Sequence, residues 1–224
     1  KESLPSQLVG SRDLYKPRHK LTEMGSGTTL KALHVGISRS PAKPLFAANN
    51  LITLFTLKKT GVFYGSSTGT CEELANQIAE KLGVSSTDVH SVDKMTADKI
   101  KEYEVLVLGT STWGDGELQD DWYDGVKVLK SADLSMKFVA LFGCGDSESY
   151  CDTFCDGIGV LYEDLKDSGC TFLGNKVSTD GYSFSSSIAV VDGAFVGLPL
   201  DEVNESNKTA ERIDAWTAEI KSKL

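Results

Sequence analysis

Five cysteines in 224 residues (Cys71, Cys144, Cys151, Cys155 and Cys170) are too few for a disulfide-stapled scaffold and odd in number. They fit a reducing compartment better than an oxidising one. Cys151 and Cys155 stand four apart, but no second Cys/His pair lies at zinc-ligand spacing, so no metal site is expected. Long apolar runs are missing too. The nearest, Leu51–Leu57, contains two threonines and falls far short of the roughly 18–20 residues a spanning helix needs. That excludes an integral membrane protein and leaves at most a peripheral membrane contact. His34 and His90 belong to no catalytic constellation, and no Ser/His/Asp arrangement is discernible. The sequence begins at Lys1 rather than methionine, as expected if residues upstream had been cleaved.

Basic residues are scarce in most of the chain but not in all of it. Residues 1–60 carry 10 Lys+Arg against 3 Asp+Glu, whereas residues 61–224 carry 13 against 29. An acidic body repels nucleic-acid phosphates, so a DNA- or RNA-binding role is not expected of it. The two parts also differ in texture. Within residues 1–58, the stretch from Lys1 to about Asn50 shows no sustained period and is broken by Pro5, Pro17, Pro41 and Pro44 and by Gly10, Gly25, Gly27 and Gly36. A segment of this kind should not fold alone and reads as an extended basic arm. Residues 59–224 read as one domain.

Within that domain apolar runs alternate with helical patterns. Thr60–Tyr64 reads as a strand, followed by Leu74, Ala75, Ile78, Ala79 and Leu82 at helical spacing and a stop at Gly83. A weak strand is predicted near Val89–Val92 and a helix over Ala97–Glu102. Val105–Gly109 and Phe138–Phe142 read as strands covered on both faces, with helices over Asp121–Leu129 and Phe154–Asp167. A last strand begins at Phe172-Leu173, is interrupted by the polar stretch Asn175–Ala194, and resumes over Phe195–Leu200. Thr209–Lys223 closes the chain as a helix. Five such alternations predict a doubly wound α/β sheet, whose ligands bind beyond the carboxyl ends of its strands.

Three loops should therefore carry the chemistry. Ser66-Ser67-Thr68-Gly69-Thr70-Cys71 opens a helix and offers hydroxyls and backbone N–H groups to a phosphate, or is an ordinary Ser/Thr cap. It has neither the Gly-Lys-Ser/Thr of a triphosphate loop nor a three-glycine dinucleotide pattern, and it holds no basic residue. Thr110-Ser111-Thr112-Trp113-Gly114-Asp115-Gly116-Glu117-Leu118 presents a tryptophan suited to cover a flat ligand, or to pack under its own loop. The third, Gly143–Asp152, adds Tyr150. Asp115, Glu117, Asp120, Asp121, Glu148 and Asp152 would surround these loops, either steering a basic partner or forming a solvated acidic face. Cys144, Cys151, Cys155 and Cys170 read as small packing residues.

The runs Phe63-Tyr64-Gly65-Ser66-Ser67-Thr68-Gly69, Thr112-Trp113-Gly114 with Glu117-Leu118-Gln119, and Phe142-Gly143-Cys144-Gly145-Asp146 with Tyr150 and Phe154 resemble flavodoxins. The split last strand and Asp192–Leu198 resemble the long-chain type. The resemblance spans about Lys59–Leu224 and implies a flavodoxin-like five-stranded parallel sheet of order 2-1-3-4-5. It implies FMN as cofactor and one-electron transfer without a substrate of its own. Ser66, Ser67, Thr68, Gly69, Thr70 and Cys71 match the phosphate loop. Thr110, Ser111, Thr112, Trp113, Gly114, Cys144, Gly145, Asp146, Tyr150 and Asp152 match the flavin loops, with Trp113 and Tyr150 as the sandwiching rings. Gly114 matches the peptide that turns its carbonyl toward the reduced flavin. Cys71 replaces the usual threonine, and its weaker donor should cost about 1 kcal/mol of phosphate binding.

Flavodoxins generally lack the arm. Its charge and its apolar end (Leu51, Ile52, Leu54, Phe55) suit a two-part contact that gains order on binding. The resemblance implies photosynthetic or bacterial electron transport. The expected partners are therefore a large assembly, photosystem I with antenna proteins in a plastid stroma, and a basic redox partner such as a flavin reductase. A cytoplasmic location is the alternative. A second reading makes the domain a structural linker subunit with little redox role, and a third wraps the arm on its own body.

Overall fold

The computed structural model describes residues 58–224, and the readings of the arm (residues 1–57) lie outside the described residues. The first strand, β1 (Thr60–Gly65), leads into α1 (Thr70–Leu82). The helix begins at Gly69 with φ 94° and ends at Gly83 with φ 77°, both in the left-handed region open to glycine. Glu72 and Glu73 occupy its first turn and Lys81 its last, matching the helix dipole. β2 (Val89–Ser91), α2 (Ala97–Lys101) and β3 (Val105–Trp113) follow, then the short β4 (Glu117–Leu118) and α3 (Trp122–Ser131). β5 (Phe138–Cys144) precedes α4 (Asp156–Leu165) and β6 (Thr171–Leu173). The polar stretch holds β7 (Val177–Ser178), β8 (Val190–Val191) and β9 (Ala194–Phe195). β10 (Leu198–Leu200) and α5 (Ser206–Lys223) complete the chain.

The main sheet runs β10-β5-β3-β1-β2, all parallel, with β6 also paired to β5. The expected order 2-1-3-4-5 is present, with the fifth position divided. β6 pairs the first half of β5 (Thr171↔Phe138) and β10 the second half (Leu198↔Phe142). Phe195 belongs to neither. It lies in a separate antiparallel sheet, β7-β9-β8, which the sequence reading missed because two-residue strands show no period. That sheet closes over an aromatic cluster in which Phe195 meets Phe184 at 5.1 Å and Tyr182 at 5.2 Å between ring centroids.

Two apolar layers flank the sheet. Leu74 and Ile78 of α1 join Ile213, Trp216 and Ile220 of α5 on one face. Trp122, Val126 and Leu129 of α3 join Ile158, Leu161 and Leu165 of α4 on the other. The central run of β3, Val105 to Leu108, is wholly buried, as strands covered on both faces require. Several expected boundaries move by one to four residues, the last helix beginning at Ser206 rather than Thr209, and two of the shifts bear on the site. β3 continues four residues past Gly109 to Trp113, so Thr110–Thr112 are strand rather than loop. The fourth helix starts at Asp156 rather than Phe154, because residues 145–155 form turns.

Register decides where the loops meet. Gly65 pairs Thr110, Ser111 pairs Cys144, and Cys144 pairs Leu200. Four strands thus end nearly level, and the segments leaving them form one row at the carboxyl edge. Along that row lie the 66–69 turn, the end of β3, the 145–155 turns and the loop after β10.

Candidate functional site

The 66–69 turn begins beneath a tight packing point. A Cβ on Gly65 would lie 2.5 Å from Trp122 Cδ1 and 2.7 Å from its Nε1, so only glycine lets the turn leave β1 here. Trp122 is fully buried, and its indole N–H donates to the Gly109 carbonyl at 2.9 Å. Ser66 Oγ accepts from the Gly69 N–H at 3.1 Å, which shapes the turn. Among the described residues no side chain makes a cap hydrogen bond at the N-terminus of α1, which leaves its first N–H groups without a side-chain partner next to Thr68 and Thr70.

Beyond Trp113 the chain reverses at once. Trp113 pairs Glu117 in the β3–β4 hairpin, and the Gly116 N–H donates to the Trp113 carbonyl at 3.0 Å. Gly114 (φ 50°) and Gly116 (φ 104°) supply the left-handed backbone this turn demands. The Trp113 indole N–H donates to Ser111 Oγ at 2.9 Å, which orients the ring. Trp113 remains 44% exposed and Tyr150 57% exposed, far from the burial that a core aromatic reaches. Neither ring is packed into the core.

These segments enclose a cleft of about 370 Å³, within the range of small-ligand sites. Thr68 and Thr70 line it from the first turn, and Ser111, Thr112, Trp113 and Gly114 from the end of β3. Cys144, Gly145, Asp146 and Tyr150 line it from β5 and the turns that follow. The remaining candidate residues lie elsewhere. Ser66, Ser67 and Gly69 shape the first turn without lining the cleft, and the Gln119 side-chain N–H donates to Ser67 Oγ at 3.3 Å. Thr110 is fully buried and donates its hydroxyl to the Ser111 carbonyl. Asp152 is exposed outside the lining.

Cys71 departs most from expectation. Expected to end the phosphate loop as a weak donor, it is instead fully buried in the core beside Val62 and Leu74. Hydrogen bonding with the Cys144 thiol, followed by burial, pushes its own thiol well up. A thiol enclosed there adds nothing to the cleft wall. Three lining residues escaped the sequence reading: Thr153, Glu202 and Val203. Glu202 and Val203 follow the last strand, so the rule that singled out the other three loops would have found them.

The cleft is neutral to acidic. Among the described residues no Lys, Arg or His lines it, whereas Asp146 and Glu202 do. The Ser149 backbone N–H, helped by the Asn204 amide, holds the Asp146 carboxyl below the ordinary aspartate value. Asp115, Glu117, Asp120, Asp121, Glu148 and Asp152 are all exposed on the segments around it. Neutral donors at a helix N-terminus can accept a phosphate, two half-exposed rings can grip a planar group, and the fixed negative charge disfavours adding electrons to it. No group of three or more candidate metal ligands exists among the described residues. No helix among them is long and apolar enough to cross a membrane.

The flavodoxin family model matches residues 62–216. Flavodoxin 1 of Escherichia coli K12 is 40% identical over 166 residues, spanning 74% of this chain and 94% of the relative. A flavodoxin of Nostoc sp. PCC 7120 is 42% identical over 167 residues, spanning 75% and 98%. The crystal structure of Fusobacterium nucleatum flavodoxin bound to flavin mononucleotide superposes with a TM-score of 0.68 at 33% identity, covering 75% of this chain and 99% of that one.

Proposed function

The chain belongs to the flavodoxin family, and from that premise we propose that its 59–224 domain binds FMN in the cleft. It is an electron-transfer protein and converts no substrate of its own. One observation carries the FMN reading: Trp113 and Tyr150, both about half exposed, line the same cleft as Thr68 and Thr70 at an uncapped helix N-terminus. The residues fit the group. The α1 N–H groups and the two threonine hydroxyls would hold the phosphate without a cation, and Trp113 and Tyr150 would hold the isoalloxazine. Asp146 and Glu202 would keep further negative charge unfavourable. FMN bound there supplies one-electron chemistry, and the chain's part is to orient it and leave an edge open to a partner.

The exposed carboxylates around the cleft favour a basic redox partner such as a flavin reductase. The basic arm, residues 1–58, supports a further reading in which the carrier is tethered to a large assembly. Photosystem I with antenna proteins, at the stromal face of a plastid thylakoid, is the assembly proposed. Chemistry and tether are tested separately. Purified protein should take up one equivalent of FMN and turn yellow; protein that stays colourless with excess FMN would leave the structural-linker reading ahead. Deleting residues 1–57 should leave a flavin-competent domain that no longer co-purifies with the assembly. A truncated chain that still co-purifies removes the tether.

A further inference from the structure

The turn that carries Tyr150 is tied to a segment more than fifty residues downstream. Asp201 follows β10 and is fully buried, yet it is a carboxylate. Its Oδ2 accepts from the Ser147 N–H at 2.9 Å, the Ser147 hydroxyl at 2.5 Å and the Asn204 amide at 2.9 Å. Its Oδ1 accepts from the Val203 N–H at 3.0 Å and the Asn204 N–H at 2.8 Å. The same Asn204 amide reaches Asp146 Oδ1 at 2.9 Å. Asp146 Oδ1 in turn accepts from the Glu148 N–H at 3.1 Å and the Ser149 N–H at 2.8 Å. One amide group therefore bridges two carboxylates, each of which organises a different wall of the cleft. Asp146 and Tyr150 lie on one side of the bridge, Glu202 and Val203 on the other.

Burying a carboxylate is costly, and an apolar pair of similar volume would stabilise the fold as well. What apolar contacts lack is direction, whereas five donors on one carboxylate permit a single arrangement of both loops. We propose that Asp201 and Asn204 are positioning residues that fix the Tyr150 turn, and so set how tightly the flavin is held in each oxidation state. This rests on the FMN reading. Neither side chain lines the cleft; both act through Asp146 and Ser147 on the turn that carries Tyr150.

The test uses the full chain with Asn204→Ala, which removes the bridging amide at an exposed position, and Asp201→Asn, which turns an amide toward the Ser147 donors. Asn207→Ala, on the outer surface of α5, is the control. Amide exchange of residues 147–150 is measured without FMN, then FMN affinity and the two one-electron couples. Asn204→Ala should melt within a few degrees of the parent, speed exchange at 147–150 at least tenfold and weaken FMN binding several-fold. The loss should differ between oxidation states, and a tenfold difference appears as a 59 mV shift of one couple. The control should change none of these. Unchanged exchange in Asn204→Ala overturns the proposal even if Asp201→Asn fails to fold, and so do unchanged couples in a variant whose exchange has risen. Parent protein that takes up no FMN overturns the underlying reading, a result seen before any variant is made.

Discussion

The two edges of the sheet are built to opposite ends. At the amino edge, polar groups find partners within the protein. Lys137 Nζ donates to the carbonyls of Ile100 at 2.9 Å and Tyr103 at 2.5 Å. Lys59 lies over the Tyr103 ring at 4.7 Å and pairs with Glu102 at 3.1 Å. Tyr103 itself is buried, donates to Asp88 at 2.9 Å and lies 2.9 Å from His90 Nε2. At the carboxyl edge, α1 starts without a side-chain cap and two large rings stay half exposed. One edge closes the fold. The other leaves donors and apolar faces unspent, the condition for holding a ligand.

That contrast can be broken in four ways, the largest first. Tyr103→Ala at the closed edge should cost about 3–5 kcal/mol, the range for deleting a buried aromatic, read from denaturant midpoints. A loss below about 1 kcal/mol would mean that this edge is no brace. Trp113→Ala at the open edge should leave the unfolding midpoint of the ligand-free protein nearly unchanged. It should still weaken FMN binding by about 1–3 kcal/mol, taking base–aromatic stacking as the guide. Equal loss of stability and affinity would show Trp113 to be a packing residue.

Gly114→Val forces a branched side chain into a backbone at φ 50°, at about 1–2 kcal/mol. It should move the flavin couples by tens of millivolts, since 59 mV is tenfold for one electron. A redox titration that finds both couples unmoved removes this turn from the redox response. The smallest effect is acid sensitivity. Burial alone would raise the Asp201 carboxyl, but hydrogen bonds from Ser147 and Asn204 outweigh it and hold the group below its ordinary value. A depressed aspartate stabilises the fold above the unfolded value of about 3.9 and loses that contribution as pH falls through its folded value. Protection of the 147–150 amides, taken relative to their intrinsic exchange rate at each pH, should therefore fall below about pH 4, and Asp201→Asn should flatten that fall. Protection insensitive to acid would refute the sign.

Much of this was legible in the residues. Buried strands announce themselves as unbroken apolar runs, so β3 and β5 could be placed from Val105–Leu108 and Phe138–Phe142. Helix faces showed in Leu74, Ile78 and Leu82, and Gly83 marked a stop. Trp113 and Tyr150, each beyond an unbroken apolar run, point to a flat ligand. Cys71 was misread because position in a motif does not reveal whether a side chain turns toward the cleft or the core. Glu202 and Val203 have no local mark beyond following a strand, which is only three residues long and whose level with the other strand ends is set by register.

The sequence by itself determined the alternation of strands and helices, the acidic body, and which loops hold hydroxyls and rings, because these follow from local periodicity and residue chemistry. Tertiary structure alone decided that β3 runs on to Trp113, that Cys71 is enclosed, and that Asp201 and Asn204 join two loops far apart in the chain. Each of these depends on register between strands or on hydrogen bonds across more than fifty residues, and such pairings leave no periodic mark in the sequence.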